Sequence, residues 1–215
     1  MRKDYFLREN LVLYQDQDAF CFNTDTKFLA HFMELRKNEV VLDIGTNNGA
    51  LLLAADQYPI QSMIGVEVLE EAAKLAQLNA DTFFTHPTTI INQRIQDVQI
   101  DPVDVIVSNP PYFRDEATNP GVKMNRRQMG RIEKNLTLVE LIENANRLLK
   151  SNGRFYFVHR CNRLNEIVQC LFAHHFCIKH IQIAYTKEKQ IAKTVCIEAI
   201  KEGHCDCEVL PPYFI

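Results

Sequence analysis

The residues best able to do chemistry stand together at Asn109-Pro110-Pro111-Tyr112. They follow Val103 to Ser108 (VDVIVS), an apolar run of strand type. Pro110 has no N–H and a fixed φ, so its carbonyl is left as an outward acceptor. The Asn109 side-chain oxygen is a second acceptor. Two acceptors converging on one NH₂ group would hold both hydrogens and turn the nitrogen lone pair out of conjugation. Tyr112 offers a flat apolar face on which a base could stack. Together these four residues, Asn109, Pro110, Pro111 and Tyr112, are suited to a planar amide or amidine nitrogen that must act as a nucleophile. A plain Pro-Pro turn after a strand is the competing reading.

Three acids fall where that chemistry would need a ligand. Asp43 ends the apolar run Val40-Val41-Leu42-Asp43-Ile44, Glu67 ends Ser62 to Glu67, and Asp97 follows a third run at Thr89 to Asn92. After Asp43 comes Gly45-Thr46-Asn47-Asn48-Gly49, with glycine at two positions where backbone can pass close to a ligand. This is not G-x-G-x-x-G, and no lysine follows as in a phosphate loop, which argues against a pyrophosphate or triphosphate. Glu67 lies 22 residues after Gly45, a spacing at which a carboxylate can accept both hydroxyls of a ribose. An adenosine ligand without phosphates fits, and S-adenosylmethionine is the obvious candidate. A strand, turn and helix with an incidental acid would produce the same pattern.

The elements needed to position these residues are legible in outline. Residues 10–22 alternate in two short runs around Gln15-Asp16-Gln17-Asp18 and read as a small hairpin. Thr24-Asp25 precedes the periodic FLAHFMEL and is placed to cap a helix. Helices are expected at ALLLAADQY, at Leu69 to Asn79, at Leu136 to Lys150 with Thr137 as cap, and at Asn162 to Phe172. Further strands are expected at Arg154 to His159, and then as a final pair at Ile178 to Tyr185 and Thr194 to Ile200. This alternation predicts an α/β fold, a mainly parallel sheet with helices on both faces and an antiparallel C-terminal strand pair. In such a sheet ligands bind at the carboxyl ends of the strands. A single domain is expected, residues 38–215 forming the core and residues 1–37 a hairpin-and-helix extension packed on it.

Composition supports a globular chain: of 215 residues, 47% are hydrophobic and 24% charged, enough apolar material for a sizeable core. No apolar run is long enough to span a membrane. The opening MRKDYFLREN has no apolar stretch behind it, so a cytoplasmic protein without membrane attachment is expected. The 7 cysteines include no C-x-x-C pair and read as reduced, mostly buried thiols. His204-Cys205-Asp206-Cys207 lacks a second ligand pair, so no metal is expected. Charge is uneven. Residues 38–110 hold ten acids against Lys74 and Arg94, whereas residues 111–215 carry a net +5. Lys123, Arg126, Arg127, Arg131 and Lys134 cluster with only Glu133 among them, which suggests a localised anionic partner or a solvated loop.

These motifs resemble those of class I S-adenosylmethionine-dependent amino-methyltransferases, whose fold is Rossmann-like. Asp43 to Gly49 is similar to the first motif of that class. Asn47 stands where a second glycine is usual, and asparagine tolerates positive φ better than most residues. Glu67, Asp97 and Asn109-Pro110-Pro111-Tyr112 match the second, third and fourth motifs. Within the class, Ala19-Phe20-Cys21-Phe22-Asn23-Thr24-Asp25-Thr26-Lys27-Phe28-Leu29-Ala30 resembles an opening segment of bacterial valine-tRNA (adenine-37-N6)-methyltransferases. Gly130-Arg131-Ile132-Glu133 and Thr137-Leu138 resemble a later segment of that family. The resemblance implies methyl transfer to the exocyclic N6 of adenosine beside the anticodon, with tRNA as partner, on a monomer. It implies that Thr24, Asp43, Gly45, Asn47, Gly49, Glu67, Val68, Asp97 and Asn109 bind S-adenosylmethionine, with Gln96 as an alternative to Asp97. It also implies that Phe113, Lys123, Arg126, Arg127 and Arg131 meet the RNA. Rivals are a glutamine-N5 protein methyltransferase, an enzyme for adenine in ribosomal RNA or DNA, and a non-enzymatic RNA-binding module.

Overall fold

A computed structural model describes residues 1–16, 21–112, 136–186 and 191–215. The main sheet is built around β3 (Val40–Ile44), β4 (Ser62–Val66), β5 (Thr88–Ile91), β6 (Val103–Ser108) and β7 (Leu149–Arg160). These pair in parallel in the order β5-β4-β3-β6-β7. β9 (Ala192–Lys201) runs antiparallel to both β7 and β8 (Phe176–Tyr185), giving the expected C-terminal pair. Two-residue strands β10 (Glu208–Val209) and β11 (Tyr213–Phe214) add to the outer edge of β8. They are too short to carry a readable alternation.

Side chains alternate across the sheet, and each face has its own core. Val41, Val105, Val107, Tyr156 and Val158 point to one face, covered by α1 (Thr24–Phe32) and α2 (Ala50–Ala55). Leu42, Ile44, Ile106, Phe155 and Phe157 point to the other, covered by α4 (Leu138–Leu148) and α5 (Leu164–Ala173). α3 (Glu70–Phe83) lies between β4 and β5 in the chain and runs one turn beyond the expected Asn79. The continuous apolar character of the central strands follows from burial on both sides.

The chain leaves β3 toward β4 and β5, then returns to lay β6 on the opposite side of β3. Between β3 and β6 lies the topological switch, where carboxyl ends open into a crevice. Ser108 Oγ donates to the Ile44 carbonyl at 2.8 Å and ties the two strand ends together there.

Four expectations need correction. The hairpin is formed by β1 (Arg2–Tyr5) and β2 (Val12–Gln15), with Arg2 opposite Gln15 and Tyr5 opposite Val12. Its turn is closed by Phe6 N–H to the Leu11 carbonyl at 2.8 Å. The polar RKDY strand has no apolar alternation to betray it; of the expected tip, Gln15 ends β2 and residues 17–18 lie outside the described residues. The cap of α1 is Asn23, not Thr24 or Asp25, and forms a capping box with Thr26. β7 starts at Leu149 rather than Arg154. Its pairing with β6 jumps from Val103–Leu149 to Val105–Arg154, so residues 150–153 bulge out where the sequence suggested a break. Among the cysteines only Cys196 is fully buried, Cys207 is exposed, and the other five are half-buried.

Candidate active site

The glycine loop after β3 is strained in a regular way. Gly45, Asn47 and Gly49 all have positive φ, at 75°, 51° and 82°. Asparagine at the middle position can occupy this left-handed region, which explains how the loop keeps its shape without a glycine there. The two glycines do different work. A Cβ on Gly45 would meet no atom within 4 Å, so that side of the loop is open to the cleft. A Cβ on Gly49 would come within 3.2 Å of the Phe84 ring, so Gly49 serves packing against the end of α3.

Glu67 fixes this loop from below. Its Oε2 accepts the Asn47 N–H at 2.9 Å and its Oε1 accepts the Leu69 N–H at 3.0 Å. A carboxylate has about four lone-pair sites, so both oxygens retain capacity for further donors. Burial raises the Glu67 pKa, against the opposing backbone N–H groups of Leu69, Asn47 and Val68. The N-terminal hairpin supports the loop from the other side. Gln15 Oε1 accepts from Asn48 Nδ2 at 3.3 Å, and buried Asn79 links the Tyr14 carbonyl to the Asn48 carbonyl at 3.0 and 2.8 Å. With Phe6, Leu11 and Leu13 buried, the hairpin covers the core and braces the site.

An open cleft is lined by Phe22, Thr26, Asp43, Gly45, Asn48 and Asn109. Asp43 is 1% exposed, and neither of its carboxylate oxygens has a hydrogen-bond partner. Burial pushes its pKa up to about 7 and the charge of Glu67 adds to the shift; the Thr46 hydroxyl opposes it without reaching hydrogen-bond geometry. An ionised, unpaired carboxylate at that depth is costly by itself. It is relieved by a cation arriving in the cleft. The sulfonium and ammonium groups of S-adenosylmethionine are such cations, and Gly45 leaves room for a ligand beside them, so the residues fit this cofactor.

On the opposite wall, Asn109 Nδ2 donates to Thr26 Oγ1 at 2.9 Å, and the Tyr112 hydroxyl donates to Asn109 Oδ1. Pro110 and Tyr112 are buried. The Tyr112 ring meets His159 edge-on at 5.2 Å and carries the Arg160 guanidinium 5.0 Å from its centroid. Burial lowers the His159 pKa to about 3, helped by Arg163 and Arg160, so its imidazole is neutral near pH 7. Arg160 in turn lies 4.0 Å from Asp25, which accepts the Thr194 hydroxyl at 3.0 Å. Sequence reasoning missed Thr26, His159 and Arg160. Thr26 lies in the segment noted before the first sheet strand and His159 ends an expected strand, but His159 and Arg160 acquire a role only through the β6–β7 pairing.

Asp43, Gly45, Asn47 and Asn109 line the cleft. Thr24 is exposed at the first position of α1 and does not line it; Thr26, two residues on, does. Val68 is 40% exposed just past β4, its carbonyl held with that of Glu67 by Asn92 Nδ2. Asp97 is exposed at the end of a 3-10 turn, while Gln96 beside it leaves Oε1 buried without a partner. Phe113, Lys123, Arg126, Arg127 and Arg131 lie outside the described residues.

The methyltransferase small domain family matches residues 13–181. The chain belongs to that family. It is therefore a methyltransferase, and its fold is the Rossmann-like class I fold. Among relatives of this methyltransferase is a protein of Bacteroides thetaiotaomicron named tRNA1(Val) (adenine(37)-N6)-methyltransferase, 32% identical over 74% of this chain and 67% of its own. One of the same name from Pedobacter heparinus is 30% identical over 77% of this chain and 71% of its own. In fold, the methyltransferase is similar to a ribosomal protein L11 methylase from Lactobacillus delbrueckii subsp. bulgaricus, with TM-score 0.66, 18% identity, and coverage of 93% and 100%. A methyltransferase from Pyrococcus furiosus superposes with TM-score 0.65 at 20% identity, covering 91% of each chain. Among the described residues no helix is long and apolar enough to cross a membrane.

Proposed function

We propose that this methyltransferase transfers the methyl group of S-adenosylmethionine to the exocyclic N6 of adenosine 37 in valine tRNA. The observation that carries the reading is Asn109 at the end of β6, its amide polarity held by Thr26, in the cleft that also contains unpaired Asp43. The names of the relatives supply the nucleotide and the tRNA. When bound, the cofactor supplies an electrophilic methyl group on sulfur.

The protein's part is geometric and electrostatic. Adenine N6 is a poor nucleophile because its lone pair is delocalised into the ring, and its protons are too weakly acidic to be removed first. Asn109 Oδ1 and the Pro110 carbonyl hold the two amino hydrogens as positive charge develops on nitrogen. Tyr112 sets the plane of the base. Its hydroxyl is bonded to Asn109 and its ring lies under Arg160, so base capture requires this aromatic to share or yield those contacts. Asp43 faces the cationic end of the cofactor, Gly45 admits it, and Glu67 receives the ribose while anchoring the loop. Val68 and Thr24, which stand outside the cleft lining, would meet only the outer part of the cofactor, with Asp97 or the unpartnered Gln96 oxygen taking its adenine amino group. Phe113, Lys123, Arg126, Arg127 and Arg131 receive RNA, the bases neutralising phosphate. The enzyme acts as a cytoplasmic monomer and needs no metal.

The test is methyl transfer from labelled cofactor to unmodified tRNA, protein and DNA in parallel. Label in tRNA as N6-methyladenosine supports the reading. Label on a glutamine side chain favours the protein-methyltransferase alternative, which shares the same acceptor logic.

A further inference from the structure

The catalytic reading above requires Asn109 to turn its oxygen, not its NH₂, toward the substrate nitrogen. Nothing in the shape of a carboxamide enforces this, because the two ends are almost isosteric. The hydrogen-bond network around Thr26 does enforce it, and the direction of every bond follows from two backbone donors. Thr26 N–H can only donate, so the Asn23 atom it meets at 3.0 Å is the oxygen Oδ1. That oxygen also lies 3.2 Å from Thr26 Oγ1, so the Thr26 hydroxyl hydrogen points at it. Asn23 N–H, again a donor only, gives its hydrogen to Thr26 Oγ1 at 3.2 Å. The Thr26 hydroxyl has then spent its one hydrogen, and what it shows to Asn109 is a lone pair. The Asn109 atom 2.9 Å away must be Nδ2, and Oδ1 is turned to the other side, where the Tyr112 hydroxyl donates to it.

We propose that Thr26 is a positioning residue that sets the polarity of the Asn109 amide, with the capping box of α1 as its reference. This rests on the reading of Asn109 as an acceptor for the substrate amine, and extends it to a residue 83 positions away in sequence. It gives the N-terminal helix a role in turnover. Without the hydroxyl, the amide is free to flip and present a donor to the incoming amine, a repulsive arrangement that wastes binding events.

Three variants test it: Thr26→Val, nearly isosteric without the hydroxyl, Thr26→Ser, which keeps the hydroxyl, and Asn109→Ala as reference. The Thr26 N–H to Asn23 bond survives in all of them, and Thr26→Val loses only the Asn23 N–H half of the capping box, which Thr26→Ser keeps. Thr26→Val should lower kcat by about ten- to a hundredfold, less than Asn109→Ala. Its KM for tRNA and its Kd for S-adenosylmethionine should stay within about twofold, and Thr26→Ser should restore kcat. Independently of activity, NMR of the unliganded protein should show the Asn109 side-chain amide hydrogens exchanging faster with solvent in Thr26→Val than in wild type or Thr26→Ser. Unchanged kcat and amide exchange in Thr26→Val would overturn the inference, as would a loss that Thr26→Ser fails to rescue or one that appears equally in KM. If Asn109→Ala itself turns over normally, the functional reading falls first; if only Thr26→Val does, the reading stands and the inference alone fails.

Discussion

On the glycine-loop wall of the cleft, the side chains of Asp43 and Thr46 are buried without partners; on the opposite wall the Asn109 amide is bonded at both ends. Asp43 keeps two unpaired carboxylate oxygens and Thr46 an unpaired hydroxyl. Across from them, Asn109 uses both ends of its amide, on Thr26 and on Tyr112. The difference matches the tasks proposed for the two walls. An unsatisfied buried charge stores a preference for a cationic ligand and is relieved when one binds. A neutral, satisfied network stores geometry and holds an acceptor still while charge develops elsewhere. On this proposal one wall acts on affinity and the other on turnover, and substitutions should separate the two.

The largest effect is expected on the satisfied wall. Asn109→Ala should reduce single-turnover methylation of tRNA by about two to three orders of magnitude, while calorimetry finds cofactor affinity nearly unchanged. A large loss of affinity would mean that the walls do not divide the labour as described.

Next is Asp43, whose effect has a characteristic pH dependence. With a pKa of about 7 in the unliganded fold, it must be ionised to pair with a cation. Cofactor affinity should therefore rise up to about tenfold per pH unit below 7 and level off above it. Asp43→Asn should abolish that slope and bind about ten- to a hundredfold more weakly at pH 8, as seen by calorimetry from pH 5.5 to 8.5. Stability of the unliganded protein should move the opposite way. A carboxyl whose folded pKa is raised contributes stability when protonated, and this is lost as pH climbs from about 4 to 7. Asp43→Asn should thus be more stable than wild type at pH 8, by about 2–4 kcal/mol in denaturant unfolding.

Glu67→Ala is expected to weaken cofactor binding by about 1–3 kcal/mol. Because Glu67 also anchors the N–H groups of Asn47 and Leu69, the same substitution should loosen the glycine loop, readable as faster amide exchange at Asn47. Unchanged affinity would remove Glu67 from the cofactor site. The smallest effect is expected from residues outside the described ones. Replacing Arg126, Arg127 and Arg131 together with Ala should raise the KM for tRNA severalfold and flatten its salt dependence, since fewer counterions are released. No change at any salt concentration would make the cluster a solvated surface.

How much of this was legible in the sequence depends on the range of the interactions. The strand–loop–strand frame was visible because the central strands are buried on both faces and read as unbroken apolar runs, from Val40 to Ile44 and Val103 to Ser108. Asn109-Pro110-Pro111-Tyr112 and the acids at Asp43 and Glu67 were visible because their chemistry is local to strand ends. The hairpin was misplaced because its first strand, RKDY, is polar and finds its partner ten residues away by backbone pairing. Thr26 was passed over because its partner, Asn109, lies across the fold. His159 and Arg160 reach Tyr112 only because β7 is laid beside β6. Residues whose role depends on a distant strand leave no periodic or spacing signal of their own.

The central claim is that the Asn109 wall presents an acceptor pair to the exocyclic amine of adenosine 37. It is tested most directly by nucleoside mass spectrometry of unmodified valine tRNA after incubation with the protein and S-adenosylmethionine, with digestion products mapped to position. The account predicts N6-methyladenosine at position 37, and its near absence with Asn109→Ala at equal enzyme concentration. A methyl group on a ring nitrogen, at another position, or formed at the same rate by Asn109→Ala would contradict it.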